Sequence, residues 1–320
     1  MSRSSGTVPI HRRTRATGLR WAAIAASAFL IMGAASCSSD GGAAESSSTT
    51  AKKTATTAQV QNVGDSPIDN AITINTPGMS FEVSGELRPG NGAITFKNTD
   101  DVSHMLAVTR VKDGVTLDQI RSAAGSSEEA ATALMADGPD AEYGTPSPVG
   151  PGQQSTVIAK DLKAGNYAIL CFFVAEDGTP HFQMGMVNEF TVKGDPATDA
   201  PKSDGTISVD DKAFTMPDGF NGKGTFEVTN TGTKPHDLQL VKLDPGTTLE
   251  SYFGAVGEAM NTNKSVDNAK GGVMMGGVDG LSAGQSAWLV LDLPAGHYGY
   301  LSVGDAQTGP PAQIGEFTVS

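Results

Sequence analysis

The sequence predicts an all-β protein made of two tandem antiparallel β-sandwich domains, each with a short helical insertion. Three observations predict this fold: many turn residues, short apolar runs of strand length, and two copies of one sequence pattern. Glycine accounts for 39 of the 320 residues and aromatic residues for only 6%, a composition that favours a turn-rich β protein over a helical bundle. The length alone suggests about two domains.

The two copies align without a gap over their best-matching stretch. GAITFKNTDDVSHMLAVTRV in the first copy matches GTFEVTNTGTKPHDLQLVKL in the second, so Asn98 falls on Asn230 and His104 on His236. Further along, DLKAGNY matches DLPAGHY, and both copies end in Glu-Phe-Thr-Val. The matching segments are 92–111 with 224–243 and 161–167 with 292–298. A repeat of this kind indicates two copies of one structural unit.

We therefore predict one domain over 65–195, a linker over 196–204 and a second domain over 205–320. Within each copy, short apolar or alternating runs separated by Gly, Pro, Asp and Asn predict strands with a Greek-key-like spacing, packed as two sheets. Thr116–Ala136, which begins Thr-x-x-Gln, and its partner Thr248–Met260 predict short helices. The strands predicted in the first copy are Ala93–Lys97, Met105–Val111, Ser155–Ala159, Tyr167–Phe173 and Asn188–Val192.

Residues 1–36 have the layout of a bacterial signal peptide. A basic stretch precedes an apolar run, Trp21–Met32, that is short for a membrane span, and small residues lead directly to Cys37. This order resembles the bacterial lipobox, although Ala34 stands where leucine is commoner. The resemblance implies a diacylated Cys37 and a lipid-anchored protein on the extracytoplasmic face of the cell membrane. An ordinary secretory signal is the alternative, and Arg12-Arg13 leaves a twin-arginine export route open.

Residues 37–64 are rich in Ser, Thr, Ala and Gly and lack large apolar side chains, so they predict a flexible tether.

The chain that follows the leader is acidic. The leader holds five of the 22 basic residues and none of the 35 acidic ones, which leaves the remainder with a net charge of about −18. Binding to nucleic acid needs clustered Lys and Arg, so we expect no nucleic-acid partner. The charge favours solubility through self-repulsion.

The chain has two cysteines, and lipidation of Cys37 leaves Cys171 as a lone thiol in an oxidising compartment. Such a thiol is explained by burial as a small apolar residue, by an intermolecular bond or by a metal. Cys171 ends an apolar run, a nine-residue loop leads to His181, and Met186 follows just before the last strand. His104 opens a predicted strand earlier in the same copy. The sequence therefore offers a thiolate, two imidazoles and a thioether to one metal.

Two imidazoles, a thiolate and a weak thioether form the ligand set of blue-copper sites. The pattern resembles the cupredoxin family, the plastocyanin- and azurin-like proteins, over both copies in outline and over the metal motif in the first copy only. The Cys-to-His loop is longer than in the small cupredoxins and closer to the loops of copper nitrite reductases, and the helical segment is an insertion. The resemblance implies one copper ion in the first domain, with Met184 competing as axial ligand. The implied ligands are His104, Cys171, His181 and Met186.

The second copy lacks this ligand set. His236 persists, but Ser302 stands at the position of Cys171, Gln313 at that of the axial methionine, and no histidine matches His181. We therefore expect no copper of this type in the second domain. Because a histidine also persists where no metal is expected, His104 keeps a structural alternative as a hydrogen-bonded side chain.

Sequence motifs of hydrolases, zinc proteases, phosphate-binding loops and calcium-binding loops are absent from the chain. Asp100-Asp101 resembles a turn, and a Cys171–His181 nucleophile pair lacks an evident oxyanion site. We therefore predict that the chain is not an enzyme. The resemblance implies a membrane-anchored copper protein that transfers electrons, or stores and delivers copper, to a redox or copper-accepting protein. The alternative is a metal-free β-sandwich lipoprotein that binds a protein or an envelope component.

Overall fold

A computed structural model describes residues 66–138, 143–303 and 313–320 of the chain. Strands account for 44% of the structure and helices are few, which confirms the prediction of an all-β fold with short helical insertions. The predicted leader, the lipidation site at Cys37 and the tether lie outside the described residues.

The described residues form sixteen strands, eight in each copy of the repeat. Those of the first copy are β1 Ala71–Thr76, β2 Glu82–Gly85, β3 Gly90–Asn98, β4 Ala107–Val111, β5 Thr145–Pro146, β6 Gln154–Leu162, β7 Gly165–Leu170 and β8 Val187–Val192. Those of the second are β9 Gly205–Val209, β10 Phe214–Thr215, β11 Lys223–Asn230, β12 His236–Leu243, β13 Gly272–Leu281, β14 Ser286–Asp292, β15 Gly296–Leu301 and β16 Ile314–Val319. The helices are α1 Leu117–Ala124, α2 Glu128–Thr132, α3 His181–Met184, α4 Leu249–Asn261 and the 3-10 turn Val266–Asn268.

Each copy packs two layers of strands. In the first, β2-β1-β3-β6 packs on β4-β7-β8, and in the second, β10-β9-β11-β14 packs on β16-β15-β12-β13. Side chains that alternate inward fill the space between the layers: Phe96 of β3 shares a buried cluster with Ile169 of β7, and Phe226 of β11 shares another with Leu240 of β12. Most pairs are antiparallel as predicted, but β1 runs parallel to β3 and β9 parallel to β11, because β2 and β10 return along the sheet edge.

The two copies are joined through a sheet as well as through the chain. β6 pairs with β14 at three positions, which fuses the two four-stranded layers into one eight-stranded sheet. One buried cluster also contains residues of both copies, Phe190 and Tyr252 among them. Part of the predicted linker lies against the first copy, since Ala197 bridges to Gly90 and is buried. The predicted domain boundaries stay a prediction; the strands show direct contact between the copies.

The helical insertions begin where the sequence predicts them. The hydroxyl of Thr116 accepts a hydrogen bond from the backbone of Gln119, whose side chain accepts one from the backbone of Thr116, so a capping box starts α1. Thr248 caps α4 by accepting from the backbone of Ser251. Within the described ranges, none of the helices has the length and apolarity needed to cross a bilayer.

A buried tyrosine fixes the same corner in both copies. The hydroxyl of Tyr167 donates to the carbonyl of Lys163 at 3.0 Å, and that of Tyr298 donates to the carbonyl of Pro294 at 2.7 Å. Each tyrosine ring also stacks on a phenylalanine of the final strand of its copy. A hydrogen bond back to the upstream backbone is the tyrosine corner of β-sandwich proteins. The two DxxAGxY segments therefore serve the same structural purpose.

Candidate metal centre

The first copy brings the predicted imidazoles and the thiol together at one end of its sandwich. Cys171 follows β7 directly, and the loop 172–180 returns the chain so that His181 begins α3. His104 lies before β4, which starts at Ala107 and so later than predicted. In place of strand pairing, His104 exchanges two backbone hydrogen bonds of 3.0 Å with Val149. This bridge holds the backbone of His104, whose side chain faces the sulfur of Cys171.

Each imidazole presents Nδ1 to the sulfur of Cys171. The sulfur lies 3.5 Å from Nδ1 of His181 and 3.9 Å from Nδ1 of His104. One ligand atom from each residue lies within 4.8 Å of the other two. A first-row metal bound trigonally, at about 2.0 Å from nitrogen and about 2.3 Å from sulfur, separates N from S by about 3.7 Å. The two observed distances bracket that value, so the three atoms are spaced for one ion.

The thiol is deeply buried. Cys171 and His104 are 0% exposed and His181 is 2% exposed. Burial raises the pKa of the Cys171 thiol to about 12, although hydrogen bonds from the backbone of Met105 and Phe173 pull that pKa down. The amide of Met105 is 3.4 Å from the sulfur. The metal-free thiol therefore stays protonated at neutral pH, and a bound metal must displace that proton.

The surroundings of His181 favour its neutral, metal-binding form. Burial lowers the pKa of His181 to about 4, and the neighbouring His104 lowers that pKa further. Nε2 of His104 lies 3.0 Å from a carboxylate oxygen of Asp100. Burial alone would raise the pKa of Asp100, but its hydrogen bonds to His104 and to the Asp101 backbone outweigh this effect and lower it. The carboxylate of Asp100 accepts a hydrogen bond from Nε2–H of His104, which leaves the lone pair of Nδ1 free to bind a metal.

The two candidate axial residues differ in burial. Met186 is 0% exposed and belongs to the same buried cluster as Cys171, while Met184 is 44% exposed at the end of α3. The carbonyl of Met186 also accepts a hydrogen bond of 3.2 Å from the amide of Cys171. An axial ligand must lie inside the site, so burial favours Met186. The ligand roles of these residues stay predictions.

The matching place in the second copy holds a hydrogen-bond network. Nδ1 of His236 lies 3.2 Å from the hydroxyl of Ser302, and its Nε2 lies 3.1 Å from Asp211. The Ser302 hydroxyl donates to Asp237 at 2.8 Å. Within 66–138, 143–303 and 313–320, the one group of three or more metal-ligating side chains of this kind is the cluster around Cys171. The second copy thus repeats the orientation of the histidine without the thiol.

Two carboxylates near the cluster were not among the predicted site residues. Asp100-Asp101 resembles a turn in the sequence, and the four-residue spacing from Asp100 to His104 is the signal that could have revealed their pairing. Asp267, from the second copy, binds the backbone and hydroxyl of Ser103. No local pattern connects these residues, which are 164 positions apart.

No family model matches the sequence, and neither does any curated protein. Several solved structures are similar. Auracyanin A, a "blue" copper protein from Chloroflexus aurantiacus, is 19% identical, with 38% of this chain and 98% of that chain covered and a TM-score of 0.27. A multicopper oxidase is 14% identical, with coverage of 78% and 88% and a TM-score of 0.21. The copper nitrite reductase of Nitrosomonas europaea is 11% identical, with coverage of 78% and 93% and a TM-score of 0.20.

The chain has a β-sandwich fold, present in two tandem copies, with a His/Cys/His cluster in the first. The prediction that the chain is not an enzyme is wrong, because it excluded a class of protein that is found among the similar structures. These include a multicopper oxidase and copper nitrite reductases, which are enzymes. The missing motifs were those of hydrolysis and phosphate chemistry, and their absence says nothing about redox catalysis.

Proposed function

We propose that the first copy holds one copper ion and that the protein transfers electrons outside the cytoplasmic membrane. The proposed ligands are His104, Cys171 and His181, with Met186 in the axial position. The observation that carries the proposal is the spacing of the two Nδ1 atoms from one buried sulfur, 3.5 and 3.9 Å. A copper ion in such a ligand set changes between Cu(II) and Cu(I) with little rearrangement.

The chain fixes its ligands from outside the site. Asp100 orients the ring of His104, and backbone pairing with Val149 holds its main chain. The amide of His181 donates to the carbonyl of Phe173 at 2.8 Å, which anchors the start of α3. Ligands held in this way keep one geometry in both oxidation states, which favours electron transfer over copper delivery.

The proposed location is the extracytoplasmic face of the cell membrane, with a diacyl anchor at Cys37. Support comes from the basic, apolar and small-residue order of the leader and from the Ser/Thr-rich stretch that follows it. The proposed partner is a redox protein that approaches this face of the membrane. It is not nucleic acid, because the remainder of the chain is strongly acidic.

Copper titration tests the site. In a chain carrying Cys37→Ser, Cys171 is the sole thiol, and one equivalent of Cu(II) should produce an intense thiolate-to-copper absorption band that reductant removes. The band should disappear in Cys171→Ser and persist in Ser302→Ala, the matched change in the second copy. A colourless Cu(I) complex without this band would contradict electron transfer and favour copper delivery as the function. If the chain binds neither Cu(II) nor Cu(I), the proposal is contradicted. The alternative of a metal-free binding module then remains.

Cell fractionation tests the anchor. The unaltered chain should sediment with membranes, and Cys37→Ser should be released in soluble form, because the lipid attaches to that thiol. Equal distribution of the two proteins contradicts lipid anchoring at Cys37.

A further inference from the structure

A short segment of the second copy, residues 263–268, touches both parts of the chain that supply the metal ligands. We call it the clamp segment. It contains the 3-10 turn Val266–Asn268 and follows α4. On one side it contacts Ser103, the residue before His104, and on the other it contacts the loop 172–180.

The Ser103 side is held by one carboxylate. Asp267 accepts from the amide of Ser103 at 3.1 Å with each oxygen and from its hydroxyl at 2.6 Å. A further hydrogen bond of 3.2 Å comes from the hydroxyl of Ser265. Hydrogen bonds to an ionised carboxylate are stronger than those between neutral groups. Asp267 therefore fixes the backbone immediately before a proposed ligand.

The loop side is held by three side chains of the clamp segment. Asn263 donates to the carbonyl of Gly178, Lys264 to the carbonyl of Glu176, and Asn268 to the carboxylate of Glu176, each at 3.2 Å. Gly178 has a φ of +82°, and a Cβ there would lie 2.3 Å from the side-chain nitrogen of Asn263. This close approach requires glycine at the tip of the loop.

The clamp segment also reaches the apolar surroundings of the thiol. Val266 is buried in the same cluster as Cys171 and Met105. The carbonyl of Met274, on β13 of the second copy, accepts a hydrogen bond of 2.8 Å from Gly150, the neighbour of Val149. The second copy thus supports the cluster from more than one direction.

We infer that Asp267 is a positioning residue for the copper site and that the second copy is a working part of this site. The inference rests on the proposed function, because it concerns the same cluster. Asp267 holds Ser103, the neighbour of His104, while the rest of the clamp segment holds the loop that leads to His181. Its negative charge also favours the more positive, oxidised state of a bound copper ion and so lowers the reduction potential.

Two variants separate these effects. Asp267→Asn removes the charge and keeps one oxygen acceptor, while Asp267→Ala removes both. The matched control is Asp211→Asn in the second copy, where the carboxylate binds the amide and hydroxyl of Thr233 at 3.1 and 2.6 Å. All variants carry Cys37→Ser, and cooperative thermal unfolding is measured for each. If Asp267→Ala does not unfold cooperatively, Asp267→Asn carries the test.

The first measurement needs no copper: it is the rate at which a thiol reagent modifies Cys171 in the metal-free chain. We expect at least about tenfold faster modification in Asp267→Ala, because local opening at Ser103 loses its charge-assisted hydrogen bonds. The rate in Asp211→Asn should equal that of the unaltered chain. Equal rates in Asp267→Ala and the unaltered chain would overturn the positioning role.

The second measurement uses the copper-loaded chain. Asp267→Asn should raise the reduction potential and shift the thiolate-to-copper band, while Asp211→Asn should change neither. An unchanged potential and spectrum in Asp267→Asn would also overturn the inference. If the unaltered chain binds no copper, the proposed function fails, and the thiol-modification rates alone still decide whether Asp267 positions the cluster.

Discussion

The two copies place a histidine in the same way and differ in what faces it. Nδ1 of His104 faces the sulfur of Cys171 at 3.9 Å, and Nδ1 of His236 faces the hydroxyl of Ser302 at 3.2 Å. In both copies Nε2 meets a carboxylate, at 3.0 and 3.1 Å. The histidine–carboxylate pair is therefore a feature of the fold in this chain. What the first copy adds is a thiol and a second imidazole beside that histidine.

The main chain around the two places is also alike. The amide of Cys171 donates to the carbonyl of Met186 at 3.2 Å, and the amide of Ser302 donates to the carbonyl of Gln313 at 3.1 Å. The path of the backbone is therefore shared, and a few side chains separate a candidate metal centre from a hydrogen-bond network.

Exchange of the two facing side chains is the test with the largest expected effect. In a chain with Cys37→Ser, Cys171→Ser and Ser302→Cys, the one thiol faces His236 but has no second imidazole beside it, because His297 pairs with Glu316 at the surface. We expect complete loss of the intense thiolate-to-copper band, measured by visible absorption and copper content. A chain with Ser302→Cys that keeps Cys171 should show the band and bind one equivalent of copper. An intense band in the exchanged chain would show that one imidazole suffices and would break the comparison.

The sequence revealed the features that depend on local spacing. Cys171, His181 and Met186 lie within one short segment, so their order before the last strand could be recognised directly. Alternating apolar residues and glycine turns predicted the sandwich, and Thr116 with Gln119 predicted a helix start. The internal repeat made the missing thiol of the second copy visible.

Features that depend on tertiary contacts were not predictable. Alternation shows which face of a strand is buried but not which strand it pairs with, so the β6–β14 junction left no signal. Asp267 meets Ser103 only because the second copy packs beside the first. Asp100 resembled an ordinary turn acid, since Asp is common in turns for its own backbone hydrogen bonds.

Core truncation at matched positions tests whether the copies unfold together. Phe96 on β3 and Val228 on β11 correspond, and both are fully buried. Phe96→Ala should lower the free energy of unfolding by about 3–5 kcal/mol, and Val228→Ala by about 2 kcal/mol, because fewer buried atoms are removed. Both should move one shared transition in calorimetry, since β6 pairs with β14. Two transitions, of which each variant moves one, would contradict a shared core.

Replacement of two matched buried asparagines should show which effects concern only stability and which also concern the proposed metal site. The side-chain amide of Asn98 donates to the carbonyl of Val149 at 3.2 Å, and that of Asn230 donates to the carbonyl of Leu281 at 2.8 Å. Replacement of either by Ala leaves buried backbone groups without this partner and should cost about 2–3 kcal/mol in denaturant unfolding. Asn98→Ala should also alter the copper spectrum, because Val149 pairs with His104. A spectral change of the same size in Asn230→Ala would contradict this assignment.

His297 should give the smallest effect. It lies on β15, where its Nε2 is 3.0 Å from Glu316, and the two side chains are 44% and 37% exposed. Exposed ion pairs contribute little, so His297→Ala should change the free energy of unfolding by less than about 1 kcal/mol. Copper content after removal of loosely bound metal should remain one equivalent, because this ring faces neither Cys171 nor Ser302. A drop in copper content would mean that the second copy contributes a ligand of its own, and the contrast between a metal-binding copy and a hydrogen-bonded copy would no longer hold.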